Sequence, residues 1–392
     1  MKIAIMGFGI VGSGAYEAAK LADGIEIKKI LDLRVRPGYE DIADKFTSDI
    51  NDIISDEEIE LVVETMGGVD VPREYVTKCL KAGKHVVTSN KNLVSACYQE
   101  LNEAAAEGNA KLRFTPAAGG GIPWLFNLRR AKRCDVLTEV RGIVNGTCNY
   151  ILDSMHKSGA NFEDALAEAQ KLGYAEKDPT SDIEGTDTLR KCVISTNLAF
   201  DANVTEDQIP ACGISSISAE DIQFFNSNGY TCKLMMYSKV MDGKLSAYVE
   251  PAIFGPQHLE ANVKANNNLI TLVGENVGTL SFFGQGAGSA PTGQSVIQDV
   301  IDIKDGVEMN APFHDYFPAA ETSFIANESQ LHTYYFRHDH PSRMITEITD
   351  KFAVVDGTYY CISKPIPVVE MHELAKHMKQ VERPFFFAHI HE

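Results

Sequence analysis

The chain opens on a short apolar run, KIAIM, followed at once by Gly7-Phe8-Gly9-Ile10-Val11-Gly12 and a helix-compatible stretch, SGAYEAAKLA. Apolar run, glycine turn and helix in that order predict a buried parallel strand feeding a helix. The alternation continues. IEIKKILDL reads as a second strand and LVVET as a third, leading to Gly67 and Gly68 and the helix PREYVTKCLKAG. KHVVTSNKNLV reads as strand and turn, YQELNEAAAEG as helix, and KLRFTPAA as a strand before the turn GGGIP. This order predicts an α/β fold whose first 125 residues form a Rossmann-type, doubly wound parallel sheet. Residues 126–305 change character: VLTEVRGIVNG, KLSAYVEPAIF, ITLVGE and GTLSFFGQ are strand-like among long helices, which predicts an α+β domain. Residues 328–392 read as strand (LHTYYFRH), helix (PSRMITEITDKF), a hairpin about Asp356-Gly357, helix (VVEMHELAKHMKQV) and strand (RPFFFAHIH). That is a βαββαβ order, with 306–327 as its linker.

A chain of 392 residues is too long for one compact core and predicts two or three domains. Its net charge of −18 would repel nucleic acid and anionic membrane surfaces. No apolar run approaches the roughly 20 residues that span a bilayer, and no signal peptide is expected. The eight cysteines form no CxxC pair, so reduced thiols and a cytoplasmic protein are the expectation. The eleven histidines include the pairs His338/His340 and His389/His391. Alternating histidines on a strand face suit a metal, but no third ligand is apparent in the sequence.

The glycine run has the strand–turn–helix setting of a dinucleotide fingerprint. Gly7 permits the tight turn, Gly9 lets backbone approach the pyrophosphate, and Gly12 lets the helix pack close to the strand, with Ile10 and Val11 at the helix start. Asp32 stands near the place of a ribose-binding acid and favours NAD. Arg34 and Arg36 follow it and favour the 2′-phosphate of NADP. In a doubly wound sheet ligands bind at the carboxyl ends of the strands, where Lys91 falls. Further on, Asn145-Gly146-Thr147 joins a strand to a helix whose start suits a small carboxylate. The segment GYAEKDPTSDIEGTDTLRK, residues 173–191, gathers Glu176, Asp178, Asp182, Glu184 and Asp187 before Lys191. Asp187 and Lys191 are four apart and share a face if the run is helical. Carboxylates around a lysine suit an amino group with a proton donor beside it.

In the order GFGIVGSG, VVETMGG, HVVTSNKNLV, AAGGGIP, GIVNGTCNYIL, GYAEKDPTSDIEGTDTLRK and GQGAGSAPTG, residues 1 to about 305 resemble the homoserine dehydrogenase family. The resemblance implies NAD(P)-dependent interconversion of L-homoserine and L-aspartate 4-semialdehyde, on the route to threonine, methionine and isoleucine. It implies that Lys191 is the proton donor and that Lys91 bridges cofactor and substrate. Glu176 and Asp187 would bind substrate, with Asp182, Thr147 and Tyr174 beside them. Gly173, Glu176 and Gly288 would lie against the cofactor, and residues 126–305 would supply a dimer contact in a homodimer or homotetramer. The family's structural sodium would be left with the carbonyls of Ala118 and Gly120, because Thr115 stands where a glutamate is expected. By order and position, residues 328–392 resemble an ACT regulatory module, here expected to assemble subunits through aromatic strands. Two other readings keep the nucleotide domain: another amino-acid or semialdehyde dehydrogenase, with Cys148 or Cys192 as nucleophile, and a nucleotide sensor without chemistry.

Overall fold

A computed structural model describes residues 1–307 and 326–391, so most of the expected linker lies outside the described residues. The chain divides into two compact units that interleave along the sequence. One takes Met1–Val136, Asn197–Thr205 and the described chain from Phe282; the other takes Leu137–Thr196, Glu206–Ser281 and the C-terminal segment.

The first unit is built on six parallel strands: β1 (Lys2–Met6), β2 (Glu26–Leu31), β3 (Phe46–Thr47), β4 (Leu61–Glu64), β5 (His85–Thr88) and β6 (Leu112–Arg113). Their order, 3-2-1-4-5-6, is that of a dinucleotide-binding sheet. β1 is buried on both faces because its residues alternate between two cores. Ile3 and Ile5 pack with Tyr16, Val296 and Val300, whereas Ala4 and Met6 pack with Val62, Val76 and Leu101. The first face is closed by the helices Ile10–Ala19 and Ser289–Lys304. They cross closely enough that a Cβ at Gly14 would strike the Ser289 carbonyl at 2.2 Å, and one at Gly293 would strike Gly14 at 2.3 Å. Residues 289–304 thus complete the nucleotide-side core although they lie far along the chain.

The second unit is built on a nine-stranded sheet. β7 (Leu137–Ile143), β8 (Thr231–Met241), β9 (Lys244–Phe254), β10 (Asn267–Gly274) and β11 (Gly278–Gln285) form one part. After the short β12 (Leu331–His332), β13 (Tyr334–His338), β14 (Thr349–Val355) and β15 (Thr358–Ser363) join it; β16 (Ile366–Pro367) pairs with β12, and β17 (Phe385–His391) returns to the sheet. The order is 11-10-7-8-9-17-13-15-14. The C-terminal βαββαβ segment is therefore not a separate sheet: β17 runs parallel to β9 through His389↔Ala252, Ile390↔Ile253 and His391↔Phe254.

Three expectations change. β8 was not foreseen, although Asp242-Gly243 between apolar runs is a hairpin signal of the kind read at Asp356-Gly357. The helix expected over 341–352 spans only Arg343–Ile348, capped by Ser342, and the β-forming run from Thr349 makes a seven-residue strand. Finally, the aromatic strands expected to pair between subunits are interior to the sheet, and β14 is the edge.

Candidate active site

In the first unit the fingerprint takes its expected form. Gly7 has φ +89°. A Cβ at Gly12 would strike the Gly7 carbonyl at 2.1 Å, whereas one at Gly9 would meet nothing within 4 Å. The turn is thus closed on the protein side and open where a pyrophosphate would lie, at the start of the helix Ile10–Ala19, which takes in Ile10 and Val11. The Asp32 carboxylate accepts from the Phe8 amide (2.7 Å) and so braces the turn. Arg36 donates to the Gly9 carbonyl (2.5 Å) and the Ser13 hydroxyl (2.7 Å), while Arg34 is exposed. Gly288, φ +122°, precedes a helix whose Ser289 hydroxyl donates to the Ile10 carbonyl (2.8 Å), so Gly288 belongs to the same corner. Lys91 is the first residue of a helix rather than a loop lysine, and Asn90 caps that helix by accepting from the Leu93 amide. Asn90 in turn donates to the Gly68 carbonyl (2.9 Å), and the buried Glu64 accepts from Thr88 and the Met66 amide. Ala118 and Gly120 lie in a turn with Gly119 and Gly120 at positive φ; nearby, the amide of Thr115 donates to the buried Asp299 (2.9 Å).

In the second unit the acidic segment and Lys191 converge. The helix Thr186–Phe200 carries both Asp187 and Lys191 on one face, and the lysine Nζ donates to Asp187 Oδ2 (2.7 Å) and to the Val144 carbonyl (2.6 Å). Both side chains are buried. Asn145 ties the group together. It caps the helix Gly146–Ser158 through the Cys148 amide, and its Nδ2 donates to Asp182 (2.7 Å) and Asp187 (2.8 Å). Burial pushes the Asp182 carboxyl above its ordinary value, with the Asn145 bond opposing it. Thr147 donates to the Tyr174 carbonyl (2.6 Å), and the Tyr174 ring stands against Tyr150 at 4.9 Å. Glu176 is not drawn into this network: it is exposed, and its carbonyl accepts from Gln170. Gly173, φ +78°, ends the preceding helix. Asn145 is the residue the sequence reading passed over as a site member. The signal was present as an N-cap asparagine before the helix.

Cys148 and Cys192, the two cysteines near these motifs, are both buried. Burial raises the Cys192 thiol to about 12 and holds Cys148 well above its ordinary value, so neither supplies a thiolate.

A dinucleotide turn in one unit and a buried lysine–carboxylate group in the other define the chain as a nicotinamide-dependent oxidoreductase. The comparisons are specific. The family model "Homoserine dehydrogenase, NAD binding domain" matches residues 7–115, and the "Homoserine dehydrogenase" model matches residues 123–301. The chain belongs to the homoserine dehydrogenase family. It is 41% identical to the homoserine dehydrogenase of Corynebacterium glutamicum over 76% of this chain and 71% of that one. It is 33% identical to that of Bacillus subtilis over 87% and 81%. A solved homoserine dehydrogenase from Thiobacillus denitrificans covers 100% of this chain and 98% of its own, with a TM-score of 0.84 at 28% identity.

Proposed function

We propose that this chain interconverts L-homoserine and L-aspartate 4-semialdehyde with NAD(P) and that Lys191 is its acid–base group. The observation that carries this reading is the Lys191 amine, aimed by Asp187 and the Val144 carbonyl and braced through Asn145. Reducing an aldehyde leaves charge developing on oxygen, which needs a cation and a proton at that point. The nicotinamide, when bound, supplies or accepts the hydride. Lys191 gives its proton to the oxygen in the reductive direction and takes it back in the oxidative one. Asp187 and Asp182, with Glu176, hold the substrate's amino and hydroxyl groups, and Thr147 and Tyr174 line the same group. Lys91, at a helix start in the nucleotide-binding domain, orients substrate against cofactor, with Gly173, Glu176 and Gly288 as further cofactor contacts.

In functional terms residues 1–125 with the helix Ser289–Lys304 are the nucleotide domain, the remainder of 126–305 is mainly the substrate domain, and 328–392 is an ACT-like module with 306–327 as its linker. Arg36, already turned onto Gly9, inclines the site to NADP. A sodium ion on the Ala118 and Gly120 carbonyls would be structural and outside the hydride step. We read the enzyme as cytoplasmic; among the described residues no helix is long and apolar enough to cross a membrane. The experiment is Lys191→Ala. It is expected to lower turnover by about 10²–10⁴, the range of a positioned acid–base group, while NADPH affinity stays near wild type. Turnover within a few-fold of wild type would remove Lys191 from the mechanism.

A further inference from the structure

Away from Lys191, the seam where β17 meets β9 buries an unusual set of side chains. Glu250 on β9 is fully buried. Its Oε1 lies 2.7 Å from His389 Nδ1 on β17, and its Oε2 lies 3.0 Å from Nε2 of His372 on the helix Val368–Gln380. The hydroxyl of Tyr334 stands 3.4 Å away. His332, on β12, stacks on His389 with ring centroids 4.5 Å apart. One nitrogen of each of these two rings and a Glu250 oxygen all lie within 4.8 Å of one another.

The outer nitrogens are already occupied. His389 Nε2 lies 3.2 Å from the Tyr237 hydroxyl, and His332 Nε2 lies 2.7 Å from that of Tyr248. This is the arrangement of metal-binding histidines, whose far nitrogen is fixed by a hydrogen bond. The other nitrogen of His389, Nδ1, faces Glu250, and an ion there would replace that hydrogen bond with ligation by both groups. We propose that Glu250, His332 and His389 form a binding site for a borderline divalent transition ion of the zinc type, which clamps the C-terminal segment to the substrate-side sheet. The donor set fits. Two imidazoles and one carboxylate suit such ions, and His372 on the second oxygen of Glu250 would hold the carboxylate in place. Fully buried Glu250 faces the imidazoles of His372 and His389, and a divalent ion would supply its countercharge without protonating either ring. Tetrahedral ligation needs donors about 3.4 Å apart, given metal–nitrogen bonds of roughly 2.0–2.1 Å. His332, the half-buried member on a two-residue strand, is the ring whose movement would close the site around an ion. The clamp has a place to act, since β17 and β9 share only three register pairs.

The test uses the untagged full-length protein titrated with Co²⁺, a zinc surrogate with visible absorption in a tetrahedral nitrogen–oxygen site. Wild type is expected to develop that band to one equivalent per chain and to lose it on addition of Zn²⁺. Glu250→Gln and His332→Gln should each abolish the band. His332→Gln is the safer variant because the side chain is partly exposed, and circular dichroism reports whether it folds. Tyr248→Phe, which removes only the outer hydrogen bond, should weaken Co²⁺ binding about 10–100-fold. Absence of a band in wild type, or a band that survives in folded His332→Gln, would overturn the site.

Discussion

Arg36 illustrates how a residue read ambiguously in sequence acquires a role from geometry. Beside Asp32 it left NAD and NADP both open. In the folded unit Asp32 spends one oxygen on the Phe8 amide, and Arg36 reaches the Gly9 carbonyl and the Ser13 hydroxyl. Asp32 thus braces the turn, and Arg36 lies against the same turn, which is the ground for the proposed lean to NADP. Replacing Arg34 and Arg36 together by alanine is expected to raise the KM for NADPH roughly tenfold or more, as loss of charge-assisted bonds implies, and to spare NADH. Equal effects on both cofactors in steady-state kinetics would assign the arginines to the surface. Asn145 illustrates the reverse case. Its cap was legible, but its hold on Asp182 and Asp187 spans 37 and 42 residues of chain, a distance at which local pattern carries no information.

At the scale of elements, the parallel sheet was readable because strands buried on both faces are continuous apolar runs bounded by glycine turns. The C-terminal boundaries were less so. Thr349–Val355 has three polar or charged residues in its first three positions, which reads as the tail of a helix, while Phe352, Val354 and Val355 favour a strand. The pairing of β17 with β9 was not readable at all, since nothing local records which sheet edge a strand will join. That pairing carries a prediction. Deleting residues 328–392 would strip β9 of its β17 partner, remove the buried aromatics Tyr334, Phe336 and Phe387, and uncover Glu250 and Tyr248. Thermal unfolding should drop by roughly 10 °C or more, given about 3–5 kcal/mol for each large buried aromatic lost. A truncated protein with an unchanged midpoint would make the segment an independent appendage rather than part of the sheet.

The whole molecule is acidic, with a nucleotide-binding fold in one unit and the buried Lys191–Asp187 group in the other. Both ends of the nine-stranded sheet expose apolar side chains: Leu280 and Phe283 on β11, and Phe352, Val354 and Val355 on β14. Among the described residues no further strand pairs with either edge, which is compatible with the proposal of a homo-oligomer. The central claim concerns chemistry, and it also separates the competing readings. The measurement is the rate of NADPH oxidation by the wild-type protein with L-aspartate 4-semialdehyde, against other amino-acid semialdehydes, with L-homoserine identified as product. The account predicts turnover that depends on L-aspartate 4-semialdehyde and is reversed by L-homoserine with NADP⁺. Cofactor binding without turnover, or faster reduction of a different semialdehyde, would contradict it.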